Sequence, residues 1–180
     1  QRAQQEAGIP YRGIGIGYGD SIPDNERFGM RKFLYHSIDA SVRGVPNTGV
    51  EYYNYLRSFW KDGTRMVDGG TGYVGDASAN SNVNADYMFP GNTDPVGWGT
   101  NGVPQPEWTE ETAGNTPFDR AFLQSAGPFV LQPGAVNNIT VGVVWARAST
   151  GGPFASVNAV RKADDKTQAL FDNCFRILNG

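Results

Sequence analysis

Four side chains that carry oxygen lie close together near the start of the chain. They are Asp20, Asp24, Asn25 and Glu26. Ca²⁺ binds carboxylate and amide oxygens, so this acidic loop is a candidate calcium site, although its spacing does not match the twelve-residue EF-hand loop. Alternatively, the carboxylates cap turn amides and pair with basic residues at 27–32. Calcium is the one cofactor that the sequence suggests.

A second group of candidates consists of aromatic side chains in a Gly- and Asn-rich stretch. Trp98, Trp108 and Tyr87 are scattered through residues 67–114, a stretch without a clear hydrophobic period. Exposed aromatic rings on such loops could stack on sugars. The favoured interpretation is that they fix a long loop to a sheet, because long irregular loops in compact domains need such anchors.

Catalytic patterns are weak. Glu107, Glu110 and Glu111 are acids near Trp108, but a glycosidase needs two carboxylates held across a cleft, which sequence neighbours rarely achieve. The single cysteine, Cys174, and the single histidine, His36, show no link to each other, and no Ser/His/Asp or phosphate-binding motif occurs. The sequence therefore predicts no enzyme activity.

Composition narrows the class of protein. Charged residues make up 18% of the 180 residues and hydrophobic residues 39%, with 24 Gly and 11 Pro, which indicates a loop-rich and β-rich domain. The net charge of −3 gives no electrostatic reason to bind nucleic acid, and no apolar run is long enough to span a bilayer. Because the chain starts at Gln1, we interpret it as processed or as part of a longer polypeptide.

The clearest hydrophobic pattern lies in the last third of the chain. Residues 138–148 are rich in β-branched and aromatic types and predict a long strand. One face of that strand would carry Ile139, Val141, Val143 and Trp145, which predicts that it is core. A turn at residues 132–135 would join it to a short antiparallel strand at 127–131.

Two helices complete the predicted fold. Apolar spacings of three, four and seven predict a helix over about 156–178, and Asn47 or Thr48 could cap a helix over about 48–60. Residues 1–10 are predicted as a linker or the end of a preceding element, and residues 11–180 as one domain. The expected fold is mainly β within the α+β class: an antiparallel, β-sandwich-like sheet assembly with these two helices.

Several segments together resemble a known family. They are 19–27 (GDSIPDNER), 52–56 (YYNYL), 60–63 (WKDG), 89–91 (FPG), 97–98 (GW), 119–120 (DR), 125–129 (SAGPF), 131–134 (LQPG) and 164–173 (DDKTQALFDN). In this order they resemble the large, secreted surface proteins of Bacteroidota bacteria that the type IX secretion system exports. The resemblance implies an extracellular location, and it marks Ser21 after Asp20 as a candidate O-glycan acceptor. No C-terminal sorting domain is recognised, which implies an internal or processed piece.

Two functions follow as hypotheses. The leading one is a non-catalytic extracellular module that has a structural or interaction role within a large bacterial surface protein. Its partners would be other domains of the same polypeptide or neighbouring surface proteins, with no nucleic acid and no membrane insertion. The alternative is a carbohydrate-binding module that contacts polysaccharide through Trp98, Trp108 and Tyr87.

Overall fold

The chain is a small α+β protein that forms two compact units, residues 1–130 and 131–180, where the sequence predicted one domain over residues 11–180. The computed structural model describes residues 5–6, 9–10, 30–126, 133–134, 136 and 140–176. The predicted short strand at 127–131 and most of the turn at 132–135 therefore lie outside the described residues. No helix in the described part is both long and apolar enough to cross a membrane.

Paired strands form the framework of the first unit. Strands β1 (Gln5–Glu6) and β2 (Ile9–Pro10) make a minimal antiparallel pair. Strand β3 (Lys32–Ser37) pairs antiparallel with β6 (Arg120–Ser125). The other edge of β3 holds residues 86–88, because the Phe33 amide donates to the Asp86 carbonyl at 2.9 Å and the Met88 amide donates to the Phe33 carbonyl at 3.0 Å.

A further strand pair lies in the stretch that was expected to be irregular. Strands β4 (Val67–Gly69) and β5 (Ala79–Asn84) pair antiparallel, with a register shift between Val67 and Asp68. The sequence of β5, Ala-Asn-Ser-Asn-Val-Asn, has little of the usual strand composition. The sheets that the structure describes are each two-stranded, and a β-sandwich is not seen among the described residues.

Helix α1 (Gly49–Leu56) confirms the first predicted helix, although it ends before residue 60. Thr48 is the N-cap, because its hydroxyl accepts a hydrogen bond from the Glu51 amide at 3.3 Å. The Glu51 carboxylate in turn accepts from the Asn47 amide at 2.5 Å. Beyond the helix, Ser58 adopts a positive φ of 59°, and this turn directs Trp60 into the core.

The hydrophobic core lies in the first unit and not in the C-terminal third. It combines residues of β3, α1 and the Gly- and Asn-rich middle. The members that are buried are Met30, Phe33, Leu34, Tyr55, Trp60, Met66, Ala85, Tyr87, Met88 and Trp108. The long middle stretch therefore supplies much of the core, because its aromatic and Met side chains face inward from loops and short strands.

The second unit corrects the predicted long strand. Residues 140–148 form neither strand nor helix, and Val141, Val143 and Trp145 are 80%, 93% and 81% exposed. The prediction that these side chains form core was wrong, because no described element covers them. We call these three residues the apolar strip. Exposed and partly buried side chains still alternate along this segment, because Val144, Ala146 and Ala148 are partly buried.

Helix α2 (Pro153–Asp172) confirms the second predicted helix with shifted bounds. It begins at Gly152 and not at Ser156, whose hydroxyl instead accepts a hydrogen bond from the Ala148 amide at 3.3 Å. A Cβ placed on Gly142 would lie 3.4 Å from Cγ2 of Thr167. The partly buried side of residues 142–148 thus lies near α2. Cys174 follows the helix and is exposed.

Candidate functional site

The candidates predicted near the start of the chain lie outside the described residues. Asp20, Ser21, Asp24, Asn25 and Glu26 all belong to this group, so the calcium loop and the glycan acceptor stay predictions. Among the residues that the structure does describe, no group of three or more His, Cys, Asp or Glu side chains is placed to hold a metal ion. A cation bound by the described residues would therefore need amide or backbone oxygens as ligands in addition to carboxylates.

Trp108 is a core residue that fixes a glycine-rich turn. It is 3% exposed, and its indole nitrogen donates a hydrogen bond to the Gly70 carbonyl at 2.9 Å. Trp60 makes the equivalent bond to the Gly72 carbonyl at 2.8 Å. Two indoles thus satisfy two carbonyls of one turn, while their rings occupy the core. The face of Trp108 contacts protein, so it is not available for stacking on a sugar here.

Tyr87 is buried in the same core. It is 4% exposed, and its hydroxyl donates a hydrogen bond to the Met30 carbonyl at 3.1 Å. Burial raises the pKa of the Tyr87 phenol to about 12. Its ring also lies close to Gly99, where an added Cβ would be only 2.6 Å from the ring. Tyr87 is therefore tightly packed and is not available for stacking on a sugar.

Trp98 is the one of the three aromatic candidates that keeps partial exposure. It opens a short 3₁₀ turn, Trp98–Thr100, between two residues with left-handed backbone, Gly97 and Asn101. The Asp94 carboxylate holds this turn, because its two oxygens accept from the Trp98 amide at 2.8 Å and the Gly99 amide at 2.7 Å. Any stacking of sugar on this loop would depend on Trp98.

A buried charge cluster is the feature that sequence reasoning missed. Asp86 is buried and contacts three cations: Arg31 at 3.0 Å between Nη1 and Oδ2, and also Lys32 and Arg65. Arg65 further donates to the carbonyls of Ser58 and Ala85, at 2.6 and 2.7 Å. Arg31 and Lys32 were considered as partners for the acidic loop. Their partner among the described residues lies more than fifty positions along the chain.

The cluster joins three segments: the start of β3, the turn after α1, and residues 85–86. One carboxylate faces three basic groups, so the cluster carries surplus positive charge. Burial is the main cause that lowers the pKa of the Lys32 ammonium, and the bond to Asp86 acts against it. Such an arrangement suits fixed electrostatic cross-linking of the fold, because each charged group has a partner within reach.

A second polar group lies at the far end of the β3–β6 pair. The Tyr35 hydroxyl donates to the Glu110 carboxylate and accepts from Arg120 Nε at 2.7 Å. Arg120 and Glu110 are also 3.7 Å apart, so Arg120 pairs with Glu110 rather than with its neighbour Asp119. Burial and the Glu110 bond raise the pKa of Tyr35 to about 12. Glu110, one of the three predicted acids, thus holds a structural contact.

No protein-family model matches the chain, and no curated protein or solved structure is significantly similar to it.

Proposed function

We propose that the chain is a non-catalytic extracellular module with a structural or interaction role, part of a large secreted bacterial surface protein of the type it resembles. The observation that supports this is the apolar strip. Val141, Val143 and Trp145 expose 80% or more of their surface in a row. Soluble proteins rarely expose large apolar side chains side by side unless a partner covers them.

The chemistry of this segment favours strand addition. Its residues are β-branched or aromatic at alternate positions, which suits a pleated surface. Within the described part of the chain, no hydrogen bond is made by the backbone of residues 140–147. A free row of amides and carbonyls beside apolar side chains is what an exposed sheet edge can pair with.

The partner that fits is a sheet edge in another domain of the same polypeptide or in a neighbouring surface protein. Backbone pairing would supply affinity, and pockets for the strip's side chains would supply specificity. We also propose that residues 140–148 add a strand to such a sheet. The small sheets and the two helices would then form part of a β-sandwich-like assembly. A partner with a polar surface, by contrast, would not bury the apolar side chains of the strip.

The test is photo-crosslinking at the strip in the cells that produce the protein. A photoreactive phenylalanine replaces Trp145 in one variant and the exposed Phe118 of the first unit in a matched control. We expect crosslinks to another domain or to another surface protein from position 145 and few from position 118. Equal yields at both positions, or crosslinks from 145 only to residues of this same 180-residue segment, would contradict the proposal.

A carbohydrate-binding role is a second candidate, and one observation favours it. Trp98 keeps partial exposure on a loop that the Asp94 carboxylate holds rigid. Aromatic rings fixed in this way are suited to stack on sugar rings. Trp108 and Tyr87, by contrast, occupy the core, so polysaccharide binding would rest on Trp98 and the polar groups around it.

A further inference from the structure

We propose that the cavity beside strand β4 is a calcium site in which the Asp68 carboxylate is a ligand. This site consists of residues other than those of the predicted acidic loop at residues 20–26, and it does not depend on the interaction role argued above. It rests on a buried carboxylate without a partner among the described residues, on the oxygen atoms around it, and on the size of the cavity that it lines.

Asp68 is a buried acid that the fold leaves uncompensated. It is 7% exposed, and within the described part of the chain its carboxylate makes no hydrogen bond and no ion pair. An unpaired charge at such a depth is costly, because it loses its hydration and gains nothing in return. Asp86, the other buried acid in this region, has three cations around it. Among the described residues, no basic group offsets the charge of Asp68 in the way that these cations offset that of Asp86, and a bound cation would do so.

The cavity that Asp68 lines has a volume of about 20 Å³, which fits one ion or one water molecule. Besides Tyr87, three other polar side chains line it: Asp94, Thr100 and Gln105. Gln105 donates through Nε2 to the Val103 carbonyl at 3.1 Å, and its Oε1 accepts no hydrogen bond from the described residues. The Asp94 oxygens each accept one amide, which leaves further lone pairs on both.

The chemistry of this lining selects the cation. No His or Cys is among the described residues that line the cavity, so zinc and copper lack the ligands they prefer there. Two carboxylates balance a divalent ion, and the remaining positions can be filled by the amide oxygen, backbone carbonyls and water. The loop between residues 90 and 106 is irregular, and Ca²⁺ accepts six to eight oxygens in flexible geometry, whereas Mg²⁺ demands a near-ideal octahedron.

The experiment uses the 180-residue chain with Ca²⁺ alone, after treatment with a chelator. For an affinity typical of extracellular modules, about 10 mM Ca²⁺ is expected to raise the melting temperature by about 3–6 °C. Terbium, which replaces Ca²⁺, is expected to luminesce on excitation of tyrosine, because the Tyr87 ring lines the cavity. Asp68→Asn removes the charge and is expected to lose both signals.

Controls separate this site from other carboxylates. Asp119→Asn makes the same change at an exposed position and should keep both signals. The combined variant Asp20→Asn, Asp24→Asn, Glu26→Gln removes the charges of the predicted acidic loop and should keep them too. Without Ca²⁺, Asp68→Asn should melt no lower than the unaltered chain, which shows that it folds. The proposal is overturned if the unaltered chain gives no signal, if Asp68→Asn keeps it, or if the acidic-loop variant loses it.

Discussion

Two buried tyrosines make the folded state sensitive to alkaline pH. The Tyr55 hydroxyl donates to the Gly44 carbonyl at 2.6 Å, and that of Tyr87 donates to the Met30 carbonyl at 3.1 Å. Burial raises the pKa of Tyr87 to about 12 and raises that of Tyr55 well above its ordinary value. Between pH 10 and 12 the unfolded chain therefore releases protons that the folded chain keeps.

The free energy of unfolding should fall as the pH rises above 10.5, by up to about 1.4 kcal/mol per pH unit for each buried tyrosine. The measurement starts at pH 10.5 because the pKa of the Lys32 ammonium is lowered by burial. Below pH 10.5 this group makes the free energy of unfolding rise with pH, which opposes the effect of the tyrosines. Urea unfolding at pH 10.5–11.5 measures the slope. Tyr87→Phe should reduce this slope by the contribution of one tyrosine, whereas Tyr52→Phe, at an exposed position, should leave the slope unchanged. Equal slopes in the unaltered chain and both variants would show that the buried phenols do not control the pH dependence.

The cluster around Asp86 shows why single residues were hard to assign from sequence. Arg31 and Lys32 lie next to each other, and a local acid is the simplest partner for both. Their partner in the structure is 54 to 55 positions away, brought close because residues 86–88 pair with β3. Neither charge nor spacing along the chain signals such a contact. Only the pairing of backbone segments creates it.

At the scale of elements, Trp108 links its own loop to the turn after β4. Trp108→Ala should lower the free energy of unfolding by about 3–5 kcal/mol, because it removes a buried aromatic side chain and its bond to the Gly70 carbonyl. Trp98→Ala, a partly exposed position on a neighbouring loop, should cost much less and serves as the matched control. Urea unfolding measures both, and similar losses for the two would contradict the assignment of Trp108 to the core.

Any sugar binding should be lost in Trp98→Ala.

Elements with a local signature were predicted well. The periodic spacing of apolar residues located α2, and the capping residues Asn47 and Thr48 located the start of α1, where Thr48 is the N-cap. Strand β3 lies inside a segment with alternating aromatic residues. These features depend on neighbours along the chain, so the sequence carries their signal directly.

Elements that depend on distant partners were missed. Strand β5 is composed of Ala, Asn, Ser and Val and forms because β4 offers it a pairing edge through a bulge. The apolar strip gave the opposite error, because its composition is that of a buried strand. Composition reports what a segment can pair with, whereas burial depends on whether the chain supplies that partner. The Asp68 cavity likewise could not be foreseen, since its lining comes from separate segments.

At the scale of the molecule, the two units differ in how they use apolar residues. The first unit buries its aromatic and Met side chains in one core and leaves the Gly- and Asn-rich loops around it. The second unit consists of α2 and the segment before it, and keeps large apolar side chains exposed on both. Phe154 and Val157 of the helix are exposed together with the apolar strip. The exposed apolar side chains of the second unit are the basis of the proposal that it contains a docking segment.

Hydrogen exchange of the amides of residues 141–147 tests the docking claim most directly. It should be measured by mass spectrometry on the isolated chain and on the same segment within the surface-assembled protein. The isolated chain should exchange these amides at nearly the rate of an unfolded peptide, whereas assembly should slow them by a hundredfold or more, since about 3 kcal/mol of pairing energy suffices for that factor. Slow exchange in the isolated chain, or fast exchange in both states, would contradict the account.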